Sequence, residues 1–345
     1  MKKCGIVTFY NHNNFGAMLQ AYALKKVIES YDVDVDFISF QEESTKEEDN
    51  SNLHPLIKRI KDETDKRNRR FEDFRKKWLP GNLIHEGIEE EYDFFVAGSD
   101  QIWNTEIVGD DSRYFLSFAP KEKKRSYAVS FGKDSLSVDE VSYCKEMIYD
   151  FTPWLSVREQ SGAEIIKDIT GKDSLVCLDP TLLTKMEEWD ELRNSSDFNQ
   201  NPAKYILLIT VQNDLSLLKV ARQMAEERNE ELRIITASYF PPVGFESWSE
   251  VEVVDWVNLV ANSSYVITSS FHGIAFSIIF HKDFSFWPLQ AELSGRNTRM
   301  IELLEYLSLS DRMGKDCGHI DWNKVEEKRQ KMIDNSMSYI KKMVE

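Results

Sequence analysis

Short apolar runs alternate with helix-like stretches along almost the whole chain, and this alternation restricts the fold more than any other feature. Gly5 to Tyr10 is a short apolar run, and Asn11 to Gly16 is a polar loop. The next stretch carries an apolar stripe of Ala17, Ala21, Leu24 and Ile28, a spacing that places all four on one helical face. Val33, Val35 and Phe37 then alternate with Asp32, Asp34 and Asp36, as a strand with one wet face requires. Further strands are expected at Phe94–Ala97, Ser126–Ser130, Leu155–Val157 and Leu175–Leu178. Strands that alternate with helices close into parallel sheets with helices on both faces.

The pattern starts afresh after Asn194 to Pro202 (NSSDFNQNP), which is rich in turn formers and poor in apolar residues. Tyr205–Val211, Ile234–Ala237, Tyr265–Ser269 and Phe284–Trp287 read as strands. Leu217–Arg228, Val254–Asn262, a stretch from about Gly273, Met300–Tyr306 and Asp321–Met343 read as helices. At about 150 residues per domain, 345 residues suit two domains. The expected fold class is therefore α/β, with two Rossmann-like domains facing a cleft. The first spans residues 1–193 with a charged helical insertion near 41–90. The second spans 203–345, and its last helix is one that can pack back on the first domain. No internal repeat, GxGxxG fingerprint or GxxxxGK[ST] loop occurs.

Charge narrows the partners. With 43 basic and 59 acidic residues the chain carries a net charge of −16. That argues against nucleic acid as a partner, because phosphate-backbone affinity comes from an excess of Lys and Arg. An anionic ligand would need a local cluster of cations or a helix N-terminus. Leu56–Trp78 is locally basic, with ten Lys or Arg against five Asp or Glu, and reads as a solvated helix face. Its alternative is a partner surface, which allows peripheral membrane contact. No uninterrupted apolar segment reaches the roughly 18 residues of a membrane span, and the N-terminus shows no signal-peptide core. Cys4, Cys144, Cys177 and Cys317 are scattered and form no CxxC. A cytoplasmic protein with reduced thiols and no metal site is the expectation.

In open parallel sheets ligands bind beyond the C-terminal ends of the strands, so the loops there are the places to look. In Asn11–Gly16, Gly16 permits close backbone approach and the helix N-terminus offers N–H groups to an anion or a sugar hydroxyl. A turn that merely caps the helix is the alternative. In Gly98–Asn104, Asp100 could act as a base toward a sugar hydroxyl and Trp103 could stack on a sugar ring. Equally, Asp or Ser could cap a helix with Trp in the core. Arg158 could hold a phosphate or carboxylate bidentately, or pair with Glu159. Ser269-Ser270-Phe271-His272-Gly273 delivers two hydroxyls and an imidazole to the start of an apolar helix. Imidazole can carry a proton near neutral pH. Arg296 and Arg299 could complete an anion pocket. No HExxH or GxSxG occurs, and the histidines show no metal-ligand spacing.

Several stretches taken together resemble the polysaccharide pyruvyl transferase family. They are GIVTFYNHNNFGAMLQAYAL, FFVAGSDQIWN, RSYAVSFG, LSVRE, LDPTLL, YVITSSFHGIAFSIIF and NTRMIELLEYLSL, in the family's order from residue 5 to about 312. The resemblance implies a GT-B-like fold and transfer of a pyruvyl group from phosphoenolpyruvate, a co-substrate, onto two hydroxyls of a sugar or lipid-linked saccharide. The product would be a pyruvate ketal of a surface or exopolysaccharide, with no cofactor and no metal required. It further implies His272 and Asp100 as catalytic groups. Arg158, Ser269, Ser270, Gly273, Arg296 and Arg299 would bind the donor. Asn13, Asn14, Gly16, Ser99, Trp103 and Asn104 would bind the acceptor. One departure stands out. Better-understood members read Arg-Leu-His where this chain has Ser270-Phe271-His272, and Arg296, Arg299 or the helix N-terminus at Gly273 are the candidates to replace that cation. A GT-B glycosyltransferase using a nucleotide-sugar and a non-catalytic carbohydrate-binding relative are the alternative functions.

Overall fold

The computed structural model describes residues 1–40, 54–196, 203–212, 214–236, 251–290, 295–315 and 318–345, so most of the Asn194–Pro202 linker candidate lies outside the described residues. Seven parallel strands form the first sheet: β1 (Lys2–Val7), β2 (Val33–Ser39), β3 (Gly81–Leu83), β4 (Phe94–Asp100), β5 (Lys124–Val129), β6 (Ser156–Val157) and β7 (Leu175–Val176). Their order is β3-β2-β1-β4-β5-β6-β7. The second sheet is also parallel, in the order β11-β10-β8-β9, from β8 (Tyr205–Thr210), β9 (Glu231–Thr236), β10 (Tyr265–Thr268) and β11 (Phe284–Phe286). The helices of the first lobe are α1 (Phe15–Glu29), α2 (Pro55–Trp78), α3 (Thr105–Val108), α4 (Val138–Ile148), α5 (Gln160–Thr170) and α6 (Met186–Asn194). Those that follow are α7 (Leu215–Arg228), α8 (Val253–Asn262), α9 (Phe271–Ile279), α10 (Thr298–Tyr306) and α11 (Trp322–Val344). None of the described helices is long and apolar enough to cross a membrane.

The sequence patterns map directly onto burial. Val33, Val35 and Phe37 of β2 face the core while Asp34 is exposed and Asp36 half-buried. All six residues of β8 are buried, as a central parallel strand covered on both faces requires. The expected boundaries shift by a few residues, as at β6, which keeps only Ser156 and Val157 of the Leu155–Val157 run. Gly81–Leu83 adds a short edge strand that periodicity does not announce, because three residues are too few to show a period.

Helix α1 is buried nearly all round, well beyond its Ala17–Ala21–Leu24–Ile28 stripe. The reason is tertiary: one side rests on the first sheet and the other meets the second lobe. Phe15 stacks on Trp256 of α8, with ring centroids 6.2 Å apart. Trp189 of α6 lies 5.7 Å from the ring of Tyr22 in α1 and 4.8 Å from Phe276 in α9. One continuous apolar core therefore runs through both lobes. Helix α11 ties the end of the chain to the first sheet. Tyr339 donates its hydroxyl to the Ser126 carbonyl at 2.9 Å, Ser336 accepts from the Leu178 amide at 3.0 Å, and Arg125 donates to the Met343 carbonyl at 2.9 Å.

Both sheets have a point where strand order reverses, between β1 and β4 in the first and between β8 and β10 in the second. Such switch points leave a crevice beyond the strand ends. The two crevices face each other.

Because Trp189 touches both lobes, Trp189→Ala should lower stability by about 3–5 kcal/mol. Urea denaturation followed by far-UV circular dichroism and by tryptophan fluorescence checks this, with both signals expected to shift together.

Candidate functional site

Loops at the strand ends supply the site, together with the segment after β11 that carries Arg296 and Arg299. Those after β1 and β4 bring His12, Asn14, Asp100 and Gln101 from the first lobe; those after β8 and β10 bring Val211, Ser269, Ser270 and His272 from the second. Asn14 caps α1 by accepting from the Ala17 amide at 3.1 Å, and Ser270 caps α9 by accepting from the Gly273 amide at 3.4 Å. Ser269 holds the ends of β8 and β10 together, accepting from the Val211 amide at 3.2 Å. Two glycines permit the close approach. A Cβ on Gly16 would overlap the His272 ring, and one on Gly273 would overlap the Thr268 hydroxyl. Asp100 ends β4 with φ +74, a conformation disfavoured for most side chains but more accessible to Asp.

Beneath the loops lies a buried charge network. Arg158, which follows β6, donates from Nη1 to Asp179 Oδ2 at 2.9 Å. Its other nitrogens approach Asp100 Oδ1 at 3.6 Å and Glu159 Oε2 at 3.7 Å. The same Asp179 Oδ2 lies 3.7 Å from His272 Nε2, so a single oxygen joins a guanidinium of one lobe to an imidazole of the other. Asp179 Oδ1 is held by the Thr181 amide at 3.0 Å and the Thr181 hydroxyl at 2.7 Å. Arg299, on α10, lies 3.8 Å from Asp100 Oδ1. Turned so that its oxygen faces Arg299, the Gln101 amide accepts from both guanidinium Nη atoms at 2.8 and 3.1 Å. Phe271 sits beneath both arginines, its ring centre 4.5 Å from Arg158 and 5.7 Å from Arg299.

Burial and neighbouring charges together set every titratable group here. For His272, burial pushes the pKa below the ordinary 6.5 and the two arginines add to this, outweighing Asp179 and Asp100. The imidazole is therefore neutral at pH 7. Burial would raise the Asp100 carboxyl, but Arg158, His272 and Arg299 together hold it below 3.8. Burial lowers Arg299 to about 10, with Arg158 acting in the same direction, and the group stays charged at neutral pH. Glu159 is raised by burial above the usual carboxylate value despite Arg158 and a 2.5 Å bond from the Ser130 hydroxyl.

Two sizeable cavities among the described residues open on this network. The smaller, about 260 Å³, is polar and holds His12, Asp100, His272, Arg296 and Arg299. The larger, about 520 Å³, is lined by Arg158, Ser161, Asp179, Tyr306 and aliphatic residues such as Leu178 and Leu303. Phe271 and Arg299 line both.

Of the residues singled out from the sequence, Asn14, Asp100, Ser269, Ser270, His272, Arg296 and Arg299 meet around the smaller cavity, and Arg158 borders the larger one. Gly16 and Gly273 act through the space they leave. The others are placed differently, and their expected acceptor roles are corrected. Trp103 is fully buried, packed 5.3 Å from Phe115 and 5.3 Å from Phe151, so no sugar can stack on it. Asn104 is buried and caps α3, and Ser99 is buried with its hydroxyl donated to the Ala128 carbonyl at 3.0 Å. Asn13 faces away toward α2, accepting from Arg75 at 2.8 Å and donating to Asn68 at 2.7 Å. Asp179, Gln101 and Phe271 carry site geometry without having been assigned a role. In the sequence Asp179 stands at a strand end before a proline, within the LDPTLL stretch that carries the family resemblance.

Among solved structures, the S. aureus MnaA–UDP co-structure is similar over 99% of this chain and 91% of that chain, with a TM-score of 0.51 and 14% identity. A Listeria monocytogenes protein assigned as a UDP-N-acetylglucosamine 2-epimerase is similar over 100% of this chain and 91% of that one, with a TM-score of 0.52 and 11% identity. The likeness is one of fold: two Rossmann-like domains of the GT-B kind. No curated protein matches the chain. A family model described as polysaccharide pyruvyl transferase matches residues 14–284.

Arg158→Ala leaves Asp179 buried without its cation and should destabilise the protein by about 3–5 kcal/mol, measured by urea unfolding. The His272 pKa is lower in the folded than in the unfolded chain, so its stabilising effect is complete above pH 6.5 and is lost as pH falls through that value toward the folded one. The melting temperature should therefore drop between pH 7 and pH 5, and His272→Gln should flatten part of that drop.

Proposed function

This chain belongs to the polysaccharide pyruvyl transferase family, and from that premise we propose that it transfers a pyruvyl group from phosphoenolpyruvate onto two hydroxyls of a saccharide, free or lipid-linked, during surface or exopolysaccharide assembly. The observation that carries this reading is the smaller cavity. Arg299, Arg296 and His272 of the second lobe meet Asp100 of the first around about 260 Å³, room for a small anion and a reacting hydroxyl. Arg299 takes the place of the arginine that better-understood members carry where this chain has Ser270. Arg158, already engaged with Asp179, positions the network and is not the principal anion ligand.

The chemistry follows from the charges. His272 is neutral at pH 7, and an anionic donor beside it raises its pKa, so proton uptake accompanies binding. The imidazolium then protonates the methylene carbon, and C2 becomes electrophilic, like an oxocarbenium ion. A sugar hydroxyl adds to C2 and phosphate leaves. A second hydroxyl closes the ketal. Of the two hydroxyl protons, one replaces the proton given to the methyl group and the other leaves with phosphate. Asp100, ionised at neutral pH, is the group placed to accept a hydroxyl proton. Arg299 and Arg296 hold the donor's charges throughout.

Saccharide-dependent phosphate release from phosphoenolpyruvate tests the reading. His272→Gln should lower kcat/KM by about 10²–10⁴-fold and Arg299→Ala by about 10²–10³-fold. Near-normal values in both variants overturn it.

A further inference from the structure

We propose that the larger cavity is the subsite for the acceptor saccharide, a chamber for an uncharged polyol separate from the anion chamber. The word acceptor rests on the transferase reading; the binding of sugar does not. At about 520 Å³ this cavity is twice the size of its neighbour and lies within the range of small-molecule sites. It shares Phe271 and Arg299 with the smaller chamber, so a sugar held here has its reacting edge against the residues that face the donor.

The lining selects against an anion. Asp179, Glu164, Glu302 and Glu305 outnumber the cations Arg158 and Arg299 in the lining, and Glu164 and Glu305 are exposed. The N-terminus of α5, otherwise the obvious anion-binding feature, is already filled. Glu302 of α10 reaches across from the second lobe and accepts from the Gln160 amide at 2.5 Å and the Ser161 amide at 3.1 Å. A phosphate or carboxylate would meet repulsion here, whereas hydroxyl groups can donate to the exposed Glu164 and Glu305.

Donors for the sugar's oxygens are also present. The Ser161 hydroxyl is buried, in a residue only 7% exposed, and has no hydrogen-bond partner among the described residues. Arg158, whose side chain is 2% exposed, has Nη2 and Nε without hydrogen bonds, held only by ion-pair contacts to Asp100 at 3.6 Å and Glu159 at 3.7 Å. Buried polar atoms without partners are rare in folded proteins and call for a ligand or water. The apolar face of a sugar ring finds Tyr306, 43% exposed, next to Leu303. Aromatic face, acceptor carboxylates and unfilled donors together match a carbohydrate.

Saturation-transfer NMR with the methyl glycosides of glucose, galactose, mannose and N-acetylglucosamine tests the subsite without phosphoenolpyruvate. Transfer to at least one of them is expected in the wild type, with affinity falling about tenfold in Tyr306→Ala/Glu305→Gln and unchanged in His272→Gln. Both substituted positions are exposed, so the fold should survive, and Glu164→Gln on α5 supplies an independent variant. No transfer in the wild type, or wild-type affinity in both Tyr306→Ala/Glu305→Gln and Glu164→Gln, overturns the subsite. Phosphate release is followed separately. Wild-type release with an unchanged acceptor KM in the double variant also overturns the subsite while the transferase reading stands. No release in the wild type overturns the transferase reading, and the NMR result then decides the subsite alone.

Discussion

A single buried carboxylate oxygen, Asp179 Oδ2, holds Arg158 of the first lobe and faces His272 of the second. Ionised groups removed from water must be paired, and a lone charge at this depth would be strongly destabilising. Asp179 satisfies that condition through Arg158, and the neutral imidazole of His272 faces the same oxygen at 3.7 Å. Its own orientation is not free, since Thr181 grips the other oxygen twice at the start of the short turn Pro180–Leu182. The site is thus set by a first-lobe backbone turn as much as by the motif in α9. Around it the aromatic contacts of Trp189, Tyr22, Phe276 and Trp256 fix how the lobes meet.

The chain is strongly acidic, yet the smaller cavity gathers Arg296, Arg299 and the potential cation His272. Global charge and local charge therefore point in opposite directions. Fields from surface carboxylates are screened within about 8–10 Å at physiological salt, while buried arginines act through a less polarisable medium. Lowering Arg299 to about 10 reflects that burial, and the group still holds its proton at neutral pH. The carboxylates lie mostly on the side of the larger cavity, so the two chambers differ in the sign of charge they favour.

Much of the fold could be read from local pattern. The alternation in β2 and the unbroken apolar run of β8 are backbone-scale signals, fixed by side-chain periodicity and by burial on one or two faces. Site residues at strand ends were legible for the same reason, because parallel sheets present those loops to a crevice. Trp103 and Asp179 show where that reasoning stops. Trp103 occupies a loop next to Asp100, but its ring turns into the core beside Phe115, a choice made by packing and not by position in the chain. Asp179 looks like an ordinary turn residue until Arg158, twenty-one positions earlier, and His272, from the other lobe, converge on it. Asn13 likewise turns toward α2 because Arg75 and Asn68 offer partners there.

Sequence alone settled the α/β class, most of the strand succession and the family resemblance, since periodicity and ordered motifs are properties of neighbouring residues, while β3 and the helices from α3 to α6 emerged only in the structure. Tertiary structure decided which lobe contributes which charge, which loop residues are withdrawn into the core, and that two chambers meet at Phe271 and Arg299. The physical reason is range. Hydrophobic patterning acts over a few residues, whereas pairing of buried charges and matching of aromatic surfaces depend on groups the chain brings together from far apart.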